Sequence, residues 1–169
     1  AKGGRAVDNV LTIAEERLNL FAHMANSACG LSLWCFGMKK QLYTCTCPAE
    51  KEFRLFLDLG QCLDYAIAHG PESHAPILMS DPIGMLWVAE CVWHGDDASY
   101  LVILGPVFDA AASWQTLQNC LRGMNLSVSL TATIMEKLEQ VPILPLSTLH
   151  QYIKMLHWVL YEETLDVGS

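Results

Sequence analysis

Residues 83–108, IGMLWVAECVWHGDDASYLVILGPVF, constrain the fold more than any other stretch of the chain. Two almost wholly apolar runs are joined by HGDDAS. β-Branched and aromatic residues dominate both runs, and Gly95, Asp96 and Asp97 are turn formers, so the pair reads as two strands of one hairpin. Along the first run Met85, Trp87, Ala89, Cys91 and Trp93 share one face, and Leu86, Val88, Glu90 and Val92 share the other. Both faces are apolar, so such a sheet needs cover on both sides. The rest of the chain has to supply two helical layers.

Residues 6–27 read as a helix, with Val7, Leu11, Ala14, Leu18, Phe21 and Ala25 spaced 4-3-4-3-4 along one stripe. CGLSLWCFG (29–37) and QLYTCTC (41–47) suggest a hairpin across the polar MKK. Pro48 fits the first turn of a helix that carries Glu50 and Glu52 near its positive end and runs to about His69, before Gly70-Pro71. APILMS (75–80) is a third strand and DPIG a turn. Helices are expected at about 113–123, opening at Ser113, at about 127–139, and at 147–164, opening at Ser147. In the last, Leu146, Leu149, Ile153, Leu156 and Leu160 repeat the 3-4 spacing of the first. These two stripes either touch within the chain or each meet a partner subunit. Pro106 cannot donate to a ladder, so its strand is at an edge or ending there, and Gly105 permits a bulge.

Composition limits what such a domain does. With 169 residues, 52% of them hydrophobic and 17% charged, the chain suits one domain over 1–169 with a sizeable core. The net charge of −8 repels a phosphate backbone, so nucleic acid is not a partner of its general surface. Glu90, Asp58 and Asp109 interrupt the best apolar runs before they reach the roughly 18 to 20 residues of a membrane span. AKGGRAVDN lacks the apolar centre of a signal peptide. Seven cysteines, an odd number and mostly inside apolar segments, read as reduced, buried thiols. The expected location is the cytoplasm.

Element order therefore predicts an α+β domain of the PAS/GAF-like kind, with about five antiparallel strands covered by N- and C-terminal helices. SDPIGMLW (80–87), YLVILGPVF (100–108) and VPILPLSTLHQYIKMLHWVLY (141–161) resemble the N-terminal sensory domain of AraC-type bacterial transcription regulators, related in style to the PocR sensors. The resemblance covers about residues 76–162 in pattern and the first 75 in element order. It implies effector sensing and dimerisation, with DNA read by a downstream helix-turn-helix domain that this sequence is expected to lack.

Enzymatic chemistry finds no support in motifs. G-x-S-x-G, H-E-x-x-H, G-x-x-x-x-G-K-[ST] and G-x-G-x-x-G are all missing, so no catalytic residues are expected. Cys45 and Cys47 share a strand face, but C-x-C falls short of the four ligands zinc usually takes, and two buried thiols are the preferred reading over a metal or redox centre. His94 reads as a solvated loop residue. The sensor resemblance directs attention to the aromatic group Trp34, Tyr43, Trp87, Trp93 and Tyr100, with Met85 and Cys91 on the face of Trp87, as the wall of a small-molecule pocket. Which sheet face looks into the pocket is left open, as is the effector. Dimerisation is expected through Leu11, Leu18 and Phe21 of the first helix, through Leu149, Ile153 and Leu156 of the last, or through both. A ligand-free interaction module and a thiol or metal sensor are the alternatives.

Overall fold

The computed structural model describes the backbone of residues 2–162 and the side chains of residues 15–162. The expected hairpin forms: β4 (Leu86–His94) and β5 (Asp97–Val107) pair antiparallel around Gly95 and Asp96, with Glu90 opposite Val102 and Cys91 opposite Leu101. Gly95 takes a left-handed φ of 64°, the conformation that a two-residue hairpin turn demands. A second hairpin, β1 (Leu33–Gly37) with β2 (Leu42–Cys45), adds to β5 through β1. β3 (Ile77–Ser80) pairs with Leu86–Ala89 on the far side of β4. The result is an α+β fold with one five-stranded antiparallel sheet in the order β2-β1-β5-β4-β3, consistent with a PAS/GAF-like arrangement.

Both faces are covered, as the double apolar pattern requires. On one side Trp34, Phe36, Met85, Trp87, Ala89, Leu101 and Ile103 pack under α2 (Glu50–Leu59), α3 (Cys62–His69), α4 (Trp114–Arg122) and α5 (Val128–Leu138). On the other, Leu33, Val88, Val92, Val102 and Leu104 meet α1 (Lys2–Cys29) and α6 (Leu146–Tyr161). The alternation read along β4 is the one that divides these two cores. Among the described residues no helix is long and apolar enough to cross a membrane.

Four expectations need correction. The single helix over 48–69 is two: Gln61 sits at a left-handed φ of 55°, and a Cβ on Gly60 would come within 3.2 Å of the Asp81 backbone. Close passage past Asp81 outweighs helix continuity here. Pro48 lies ahead of α2, whose first turn nevertheless holds Glu50 and Glu52. α6 opens after Pro145, so Ser147 is inside it, whereas Ser113 and Ser127 do cap α4 and α5 by accepting the Thr116 and Leu130 N–H groups. The apolar stripes of α1 and α6 face the sheet: Leu18, Phe21, Leu149, Ile153 and Leu156 are buried in one core with Val88 and Val102, so they pack within the chain. Leu11 lies outside the described side chains.

Candidate functional site

Trp87 and Trp34 stand at the centre of the α2–α5 side of the sheet, fully buried, with ring centroids 5.8 Å apart in an edge-to-face pair. Their polar handles are satisfied internally. The Trp34 indole N–H donates to the Gly105 carbonyl at 2.8 Å, and the Trp87 indole N–H donates to Asp81 Oδ2 at 2.9 Å. The other carboxylate oxygen of Asp81 accepts the N–H groups of Ile83 and Met85, both at 3.0 Å, which fixes the turn leading into β4. Burial pushes the Asp81 carboxyl up to about 6, against the downward pull of those hydrogen bonds. Met85 is also fully buried. Trp34, Met85 and Trp87, expected along a ligand wall, therefore occupy filled core, and none of them lines the clefts described below.

The remaining expected residues divide between two clefts. Tyr43 and Tyr100 line a cleft of 420 Å³ beneath α1, together with Cys35 and Glu15. The Tyr100 hydroxyl is buried there with no hydrogen-bond partner among the described residues, and burial, helped by Cys35 and Glu15, raises its phenol to about 12. Cys91 contributes to a different cleft, of 380 Å³, at the outer edge of β4.

That second cleft exists because β3 is short. β3 covers β4 only as far as Ala89, so the edge of β4 from Glu90 onward has no strand beside it. The last turns of α6 cross the gap. They deliver His157 and Tyr161, four residues apart and so on one helix face, with rings 5.1 Å apart. The Tyr161 hydroxyl donates to the Cys91 carbonyl, and a backbone hydrogen bond from Trp93 also reaches it. Burial raises this phenol to about 12. His74, on the loop before β3, has its ring 6.0 Å from that of Trp93, and Asp96 of the hairpin turn completes the rim.

Glu90 is the unusual member. It is 4% exposed, on the α6 side of the sheet, and pairs with His157 Nδ1 through Oε1. Its Oε2 is buried with no hydrogen-bond partner among the described residues. Burial raises the carboxyl, and the interaction with His157 opposes that rise. A buried carboxylate oxygen without a donor costs about 1–3 kcal/mol or more, so most such oxygens in folded proteins are paired. Glu90 is also one of the residues that line the cleft. The sequence signals for this site were Cys91 and Trp93 on one face of the strand and a lone acid on the other. The partner of that acid lies 67 residues away, at no recognisable spacing.

Thiol and metal chemistry receive no comparable site. Burial raises Cys35 and Cys45 to about 12 and Cys62 and Cys91 to about 11, which holds them as inert thiols. Among the described residues no three His, Cys, Asp or Glu side chains are grouped to hold a metal ion. Compared with protein-family models, curated proteins and solved structures, the chain matches none of them.

Proposed function

We propose that this chain is a small-molecule-sensing domain of a bacterial transcription regulator, with its ligand held in the cleft at the open edge of β4. The observation that carries the sensing part is the unpartnered, buried Glu90 Oε2 in a cleft of a size suited to a small molecule. α6 supports it from the output side, because the same helix that lines the cleft with His157 and Tyr161 also packs across the sheet on α1. A ligand that shifts the Glu90–His157 pair acts directly on the last turns of that helix. The regulator part rests on the resemblance of residues 80–87, 100–108 and 141–161 to sensory domains of the AraC type. DNA contact belongs to a separate domain, since a net charge of −8 disfavours it here.

Thermal unfolding in the presence of a small-metabolite panel tests the sensing reading. A compound at one hundred times its Kd stabilises the fold by about 2.7 kcal/mol. The expected result is a compound class that raises Tm in the parent and fails to do so after Tyr161→Phe and His157→Gln together. A stabilising compound whose effect ignores both substitutions would move the site elsewhere.

A second reading, self-association, is favoured by one specific surface. The outer faces of α1 and α6 leave Leu20, Met24, Met155 and Trp158 exposed around a groove of 460 Å³. A second copy of the chain would dock here and not through the sheet-facing stripes. Light scattering on Trp158→Glu decides it: dimers that become monomers support this reading, and a parent that is already monomeric ends it.

A further inference from the structure

We infer that the cleft at the open edge of β4 takes an organic cation, an ammonium or amidinium group carried on a flat apolar body. This deepens the sensing proposal and rests on it. Three observations point to the same charge. Glu90 Oε2 lacks a donor among the described residues, and a cationic N–H would both supply one and hold the carboxylate ionised against its burial. Asp96 places a second carboxylate on the rim, and no lysine or arginine is among the described residues lining the cleft. An anion would meet two acids, and of the two histidines that line the cleft His157 is already engaged by Glu90.

The walls suit the rest of such a molecule. Trp93, His74 and Tyr161 present ring surface, and a cation is attracted to the faces of aromatic rings, most strongly to tryptophan. A charge-assisted bond from N–H to a buried carboxylate is roughly twice as strong as a neutral one. Glu90 is thus the charge-reading group, and His157, bonded to Oε1, holds it so that Oε2 is left for the ligand.

The test uses four probes of similar size on the parent chain: phenethylamine, benzamidine, the neutral 2-phenylethanol and the anionic 3-phenylpropionate. The reporter is the Trp93 indole N–H resonance, assigned with Trp93→Phe. Both cations are expected to shift it saturably, with Kd at least about tenfold lower than the neutral probe. Glu90→Gln, which keeps the shape and removes the charge, is expected to abolish that advantage while leaving 2-phenylethanol unaffected. Asp96→Asn, on the exposed turn, should weaken the cations about two- to threefold and leaves the fold intact, so it decides the matter if Glu90→Gln does not fold. A neutral or anionic probe that binds as tightly as the cations overturns the cation assignment and leaves the sensing reading standing. No shift of Trp93 by any probe up to about 10 mM overturns both.

Discussion

Gly105 shows how far one residue can decide local structure in this chain. It holds a φ of 139°, and a Cβ there would come within 2.9 Å of both the Leu86 carbonyl and the Trp87 ring. The residue is therefore a contact surface for Trp87, beyond being a hinge before Pro106. Gly105→Ala combines a strained φ with overpacking and is expected to cost about 2–4 kcal/mol, measured by urea unfolding. The bulge expected at this position is present as a register shift between Leu86 and Val88, opposite the end of β5. Pro106 lies one residue before that end, so of the two placements its missing N–H allows, strand termination applies.

Asp81 carries the clearest pH signature. Its carboxyl is raised in the folded state to about 6 from an ordinary value near 3.8, so the native chain holds this proton more tightly than the unfolded one. The stabilisation is complete below about pH 4 and is lost as pH rises through 6, amounting to about 3 kcal/mol. Asp81→Asn removes the titration and sets an amide donor against the Trp87 or backbone N–H groups. The difference in unfolding free energy between parent and variant should therefore fall by about 3 kcal/mol between pH 4 and pH 7. A difference that stays flat would show that Asp81 titrates normally. Glu90, also raised by burial, works in the same direction in both proteins.

At the scale of elements, periodicity revealed stripes but not their destinations. The 3-4 spacing in α1 and α6 is what any helix shows when it lies on an apolar layer, whether that layer is a sheet or a partner helix. Leu156 and Met155 separate the two faces of α6 cleanly: the first is fully buried against the sheet, the second 44% exposed on the outer groove. Leu156→Ala should destabilise the chain by about 2–5 kcal/mol, whereas Met155→Ala should stay within about 0.5 kcal/mol in a monomeric sample. Strand faces were more legible than helix partners, because a period of two assigns every residue of β4 to one core or the other. The break at Gly60–Gln61 was only partly legible, for a different reason. Gly60 is itself a local stop signal, but the neighbour it passes closely, Asp81, lies about twenty positions on. The pocket residues failed to group for the same cause: aromatics on a sheet look alike in sequence whether another side chain or a ligand fills the space above them.

At the scale of the whole molecule, two cores bury Cys35, Cys47, Cys62 and Cys91, while Cys29, Cys45 and Cys120 are partly exposed. Cys35, Cys45, Cys62 and Cys91, all raised by burial, should resist iodoacetamide at pH 8 in the native chain and react fully in denaturant, as read by intact mass. Rapid native labelling of these four would revive the thiol-sensor alternative. The same architecture leaves one strand edge half covered, and Tyr161 occupies it with a hydroxyl bonded to the Cys91 carbonyl. An uncovered edge is a template on which other chains can add strands, and natural proteins block such edges in a variety of ways. A phenol from a crossing helix is one of those ways. Tyr161→Phe removes the bond while keeping the ring, and should leave the fold in place yet give faster thioflavin-positive assembly on prolonged incubation. Unchanged assembly kinetics would mean that the bulk of α6 protects the edge without help from the hydroxyl. On this prediction, the residue that shapes one wall of the cleft also shields the strand edge from added strands.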